Sequence, residues 1–234
     1  MDKPKLLTLQ FDDGLKGVFN RANPILDKHL VNPVASVALI TDFLEDNRDT
    51  TMTWDDANIL RNKGWEMCCH QTTNKRVDEM TDEELHEMYR TVNRKFTDQG
   101  WDIPEITFLH GRRSDERSRQ IIYQYRKIIF NENPTRTTIN YLDDLGINYK
   151  IITGEMKTES KVQANKSEID KLSSGAYDWM IYRDHDVRDA PTTYPDCSYT
   201  HLFDDMIEHI ASKDNIKLVT IDQGLRLLKA WGKY

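Results

Sequence analysis

The chain is 234 residues long and carries 32 Lys and Arg against 39 Asp and Glu, a net charge of −7. That length is ample for a buried core and excludes a small stapled scaffold. The acidic balance provides no basic field for a phosphate backbone, so nucleic acid is not an expected partner. Cys68 and Cys69 are adjacent and Cys197 is distant, which makes neither a disulfide framework nor a CxxC metal pattern; Cys197 reads as exposed. The opening stretch, MDKPKLLTLQFDDG, reaches acidic residues after a very short apolar run and reads as neither a signal peptide nor a membrane span. The expected location is therefore the cytoplasm, a virus particle, or a domain within a longer secreted protein.

In chain order, short β-type runs alternate with polar, helix-like stretches, the pattern of βα units around a mostly parallel sheet or barrel. Strands are predicted at 6–11, 34–40, 65–69, 106–109, 127–130, 149–153, 179–182 and 216–220. Thr53 with Asp56, and Thr81 with Glu84, have capping-box spacing and open helices that stop near Gly64 and Gly100. Apolar stripes at helical spacing mark 198–211 and 223–231 as core-facing helices. Two stretches, 131–141 and 154–174, lack strong periodicity and read as excursions from the scaffold. No linker-like composition interrupts the chain, so one domain over 1–234 is expected.

The chemistry-bearing residues fall at particular places in this pattern. Asp12 and Asp13 follow the first strand, His70 the third, His110 and Arg112 the fourth, and His185 the seventh. In a parallel β/α sheet all these points lie on the C-terminal rim, where active sites are built. Singly each has an ordinary reading: Asp-Asp-Gly as a turn, His70 as a buried histidine, and 183–186 as a solvated loop with local ion pairs. Together on one rim they support metal-assisted hydrolysis. A divalent ion held by a carboxylate, an imidazole and a third ligand leaves a place for water and lowers its pKa. A second carboxylate takes the water's proton and a histidine returns one to the leaving group. Asn74 stands four residues after His70, on the same face if the segment turns helically, so Asp13, His70 and Asn74 form the expected metal set.

These residues sit in motifs that resemble those of the polysaccharide deacetylases of carbohydrate esterase family 4, the NodB-homology fold. LTLQFDDG at 7–14 is similar to the family's first motif, and 64–74 with the helix after Met80 to its second. FLHGRRS at 108–114 falls where the third motif lies. WMIYRDHDV at 179–187 is similar to the last motif, and VTID at 219–222 to the closing strand and helix. The resemblance implies a distorted (β/α) barrel of about seven to eight mostly parallel strands. It implies Asp12 as general base, and Asp13, His70 and Asn74 as ligands of one divalent ion, zinc first, with cobalt, manganese or nickel as alternatives. His185 would be the general acid, the backbone N–H of Arg112 an oxyanion donor, and Tyr182, His110 and Trp179 substrate contacts. The implied substrate is an N-acetylated glycan, and the implied reaction is hydrolysis of its acetamide.

Three departures from the family pattern stand out. Asn74 replaces a second histidine and makes the site richer in oxygen. Leu109 replaces the third-motif arginine that orients the base, leaving Arg112 or Arg113 as substitutes. No fourth-motif aspartate is found, although Asp184 and Asp186 flank His185. Two alternatives follow: a catalytically silent carbohydrate-binding or assembly module, and a metal-independent hydrolase of another amide such as a cyclic imide or ureide. Trp54, Trp101, Tyr194 and Tyr199 are available as sugar-stacking platforms.

Overall fold

Apolar side chains at successive positions of a short run, facing alternately up and down a pleated backbone, make strands that are buried on both sides. The computed structural model describes residues 3–46, 48–109, 114–131, 145–194 and 196–233. Eight such runs form one sheet: β1 (Lys5–Phe11), β2 (Ser36–Leu39), β3 (Glu66–Cys69), β4 (Ile106–Leu109), β5 (Ile128–Asn131), β6 (Tyr149–Thr153), β7 (Trp179–Asp184) and β10 (Ile216–Leu218). All eight predicted strands are present, with ends displaced by no more than two residues. The order is β5-β4-β3-β2-β1-β7-β6, every pair is parallel, and β10 lies beside the start of β1. The sheet curls into a half-barrel of the expected class. A second, two-stranded ladder joins β8 (Val187–Arg188) to β9 (Ser198–Tyr199).

The two faces of the sheet carry different cores. Leu7, Leu9, Phe11, Leu39, Cys69, Met180 and Tyr182 face the outer helices. These are α1 (Asn23–His29), α2 (Thr41–Glu45), α3 (Trp54–Asn62), α4 (Asp82–Asp98), α5 (Glu116–Ile122), α6 (Glu159–Ser173) and α7 (Thr200–Ala211). Leu6, Ala38, Cys68, Ile106, Phe108, Trp179 and Ile181 face inward, where α8 (Ile221–Ala230) adds Ile221, Leu225 and Leu228. The first turn of α8 is tied to the sheet by Ile221 N–H donating to Ser36 Oγ (3.0 Å) and Asp222 N–H to Glu66 (3.3 Å). Because Ser36 and Glu66 begin β2 and β3, α8 closes the N-terminal end of the inner face and leaves the C-terminal rim for the site.

Both predicted capping boxes form, at Thr53 and at Thr81. Two expectations are corrected. The stretch 154–174 contains α6, capped by Thr158 and held by a thin buried stripe of Val162, Asn165, Ile169 and Leu172, too sparse to register as a helical period. Cys197 is fully buried rather than exposed. The stretch 132–141 lies outside the described residues. Among the described residues no helix is long and apolar enough to cross a membrane.

Candidate active site

Along the inner face the side chains of β1 and its extension run Leu6, Thr8, Gln10, Asp12, from apolar to charged, all fully buried. On β7 the same face runs Trp179, Ile181, Arg183. Polarity therefore rises on both central strands toward the C-terminal rim, and Gln10 pairs in register with Arg183. Asp12 continues the ladder, its N–H donating to the Asp184 carbonyl at 2.9 Å. Asp13 and Gly14 then both adopt positive φ, 71° and 78°. That sharp turn separates two adjacent carboxylates, so the turn chemistry and the site chemistry coexist in Asp-Asp-Gly.

Asp12 is held on both oxygens. Gln10 Nε2 donates to Oδ1 at 2.6 Å and Arg183 Nε donates to Oδ2 at 2.6 Å, while His185 Nε2 stands 3.8 Å from Oδ2. Burial raises the Asp12 pKa, but Arg183 foremost, with His70 and His185, outweighs it and holds the carboxyl well below its usual range. Each oxygen retains a second lone pair, so the carboxylate keeps the capacity to accept a proton.

Asp13 Oδ1 lies 3.4 Å from Nε2 of His70, which follows β3 and is fully buried. His70 Nδ1 is 2.9 Å from the Phe108 carbonyl, and because a carbonyl only accepts, Nδ1 carries the proton. Nε2 thereby faces Asp13, and an imidazole anchored through Nδ1–H to a carbonyl is oriented as metal-binding histidines commonly are. This pair, one carboxylate oxygen and one imidazole nitrogen, fits a divalent cation. Asn74 is placed differently from the expectation. The segment after His70 is a series of bends rather than a helix, and Asn74 is exposed. Gln71, at φ 73°, turns the chain there, and its carbonyl accepts from Thr41 N–H at 3.2 Å. Among the described residues no group of three or more His, Cys, Asp or Glu is arranged to hold a metal.

His185 sits on the rim with its Nδ1 buried and, among the described residues, without a hydrogen-bond partner. Neither neighbouring aspartate serves its ring. Asp184 Oδ1 accepts from the His185 backbone N–H (2.9 Å), and Oδ2 takes Ser198 Oγ and Tyr182 Oη. Burial raises the Asp184 carboxyl to about 6. Asp186 Oδ2 accepts from Arg188 Nε at 2.6 Å.

The substrate contacts expected on β7 are corrected. Tyr182 is fully buried on the outer face, where its ring centroid lies 6.3 Å from that of Phe203, so it has no surface for a sugar. Trp179 begins β7 at the opposite rim, its indole N–H donating to Thr8 Oγ1 at 3.0 Å. His110, Arg112 and Arg113 lie outside the described residues. Of the four candidate platforms, Tyr194 is near enough to Asp13 for that charge to add to the burial that raises its pKa, and its ring is covered by Arg188 at 4.2 Å. Trp54 and Trp101 instead pack edge to face in the core. Gln10 and Arg183 were not among the expected site residues. Their signal was a long amide and a guanidinium side chain inside the buried central strands β1 and β7.

The family model described as polysaccharide deacetylase matches residues 1–126. No curated protein matches the sequence. Among solved structures, the chain is similar to the peptidoglycan deacetylase PdaC from Bacillus subtilis, at 15% identity and TM-score 0.64, covering 99% of this chain and 96% of that one. It is similar to the Xyl-CE4 domain of a multidomain xylanase from the hindgut metagenome of Trinervitermes trinervoides, at 16% identity and TM-score 0.62, covering 98% and 92%. A family 4 acetyl xylan esterase from Clostridium thermocellum, in complex with a cobalt ion, gives 17% identity and TM-score 0.61, covering 96% and 92%.

Proposed function

The chain belongs to the polysaccharide deacetylase family, and on that premise we propose that it is a metal-dependent hydrolase that removes the acetyl group from an N-acetylated sugar of a polysaccharide, peptidoglycan or glycan precursor. The observation that carries this reading is the pairing of two functions on one rim. Asp13 and His70 present an oxygen and an imidazole nitrogen to a common point, while Asp12 and His185 stand beside it as a carboxylate and an imidazole 3.8 Å apart.

Asp13 and His70 would hold the ion, with Asn74 as the expected third donor; when bound, a divalent ion supplies Lewis acidity at the acetamide carbonyl. Asp12, kept ionised by Arg183, His70 and His185, accepts the proton of the attacking water. His185 then delivers a proton to the departing sugar amine, with its unpartnered Nδ1 available for a proton or a substrate hydroxyl. Zinc is the first choice of metal because an O/N donor set with one imidazole suits it, and cobalt, manganese and nickel are alternatives.

The test is acetate release from N-acetylated chito-oligosaccharides, peptidoglycan fragments and acetylated xylan by protein stripped and reloaded with zinc or cobalt. Asp12→Asn is expected to bind the ion and lose at least about 10²-fold in kcat, whereas Asp13→Ala loses the ion as well. Full turnover by Asp12→Asn would remove its role as base. A second reading, a silent carbohydrate-binding module, draws on the exposure of Asn74 and on His185 Nδ1, which meets no hydrogen-bond partner among the described residues. Metal binding and glycan binding without acetate release from any of these substrates would favour it.

A further inference from the structure

We propose that Arg183, supplied by β7, is a positioning residue for Asp12, so that one strand carries the group that aligns the base and leads directly into the acid, His185. The inference rests on Asp12 being the base. Leu109 occupies the place of the arginine that the resemblance leads one to expect. Arg183 meets the same carboxylate from another strand, with Nε 2.6 Å from Asp12 Oδ2. Gln10, its register partner on β1, takes the other oxygen at 2.6 Å. Donors fixed on separate oxygens remove rotation of the carboxylate about its Cβ–Cγ bond, so the base meets its proton without reorganising.

Three observations favour a functional over a purely structural pair. Asp12 is fully buried and Arg183 nearly so, and a buried ion pair is weak evidence for stability because desolvation offsets much of its attraction. The pair stands at the end of β7 that carries His185, where β1 and β7 are in register from Leu6↔Trp179 to Phe11↔Asp184, so the base and acid are spaced by one continuous ladder. On the inner faces Leu6, Trp179 and Ile181 are apolar and Thr8 offers only a hydroxyl, spent on the Trp179 indole N–H, whereas the amide and charged side chains Gln10, Asp12 and Arg183 stand at the end beside the site. With Arg183 only 7% exposed, a glycan has no direct access to it. Its effect must pass through Asp12, which predicts a change in kcat and not in KM.

The experiment compares wild type, Arg183→Met and Arg183→Lys, each loaded with zinc and checked for folding by circular dichroism, in steady-state acetate release from an N-acetylated chito-oligosaccharide. Arg183→Met is expected to lose about 10²-fold in kcat with KM changed by less than about twofold. Arg183→Lys is expected to regain about tenfold of that loss, because a lysine restores the charge without the planar fork. Should Arg183→Met not fold, Arg183→Lys alone carries the test by a lowered kcat at unchanged KM. A folded Arg183→Met with wild-type kcat, or a loss expressed in KM, overturns the positioning role. An inactive wild type overturns the deacetylase reading and this role with it, whereas an active wild type with an unaffected Arg183→Met overturns this role alone.

Discussion

Asp12 and Asp13 are neighbours with different surroundings because Asp13 takes a left-handed backbone at φ 71°. Asp12 turns inward to Gln10 and Arg183, and Asp13 toward His70. The same scale governs metal choice. His70 is fixed by the Phe108 carbonyl, but Asn74 sits in an exposed bend, and its amide oxygen is a weaker donor to zinc than an imidazole nitrogen. Asn74→His is therefore expected to tighten zinc binding by about tenfold or more, equivalent to about 1.4 kcal/mol, as read by competition with a chromophoric chelator. Unchanged affinity would place residue 74 outside the coordination sphere. Residue identities on the rim were legible from sequence because the end of each strand was legible. The partner of each was not, since Arg183 and Asp12 are 171 positions apart and only strand order brings them together.

At the scale of elements, the connection from β7 to β9 is tied down by one buried carboxyl. Asp184 takes Ser198 Oγ from β9, Tyr182 Oη from its own strand and the His185 backbone N–H. Gly154 leaves room for this cluster: a Cβ at that position would come within 2.6 Å of Tyr182 Oη. Burial holds the Asp184 pKa at about 6, against 3.8 for an ordinary aspartate. The folded state thus binds this proton more tightly than the unfolded state. The resulting stability is complete below pH 4 and is lost as pH rises through 6, a span of about 3 kcal/mol. Urea unfolding of wild type and Asp184→Asn between pH 4 and 7.5 should show the variant gaining on the wild type as pH rises, with the other carboxyls cancelling in the difference. A pH-independent difference would show that Asp184 titrates alike in both states. The helices opened by the Thr53 and Thr81 boxes and the two with strong apolar stripes were legible in the sequence, whereas α5, which Asp115 opens with a capping box of its own, was not. Helix α6 was not, because its buried stripe includes Asn165, whose amide donates to the Thr153 carbonyl at 3.1 Å instead of contributing an apolar contact.

For the molecule as a whole, the half-barrel separates stability from chemistry by assigning them to opposite ends of the inner face. α8 fills the N-terminal end with Ile221, Leu225 and Leu228 against Trp179, which is why Trp179 proved to be core despite belonging to the motif that ends in His185. The C-terminal end keeps its charges, and these join segments distant in sequence: Asp13 after β1 and His70 after β3 are brought to 3.4 Å. An ion bound there links two loops that are far apart in the unfolded chain, so it binds the folded state almost alone and stabilises it by mass action. At free zinc a hundredfold above Kd the gain is about 2.7 kcal/mol, or roughly 5–10 °C in Tm for a chain of this size. Differential scanning calorimetry of stripped protein with and without zinc should show that shift in wild type and in Asp12→Asn, whose altered residue faces Gln10 and Arg183, and no shift in Asp13→Ala. If Asp13→Ala kept the full shift, the ion would be binding elsewhere on this acidic surface, and the rim formed by β1 and β3 would lose its claim to be the metal site.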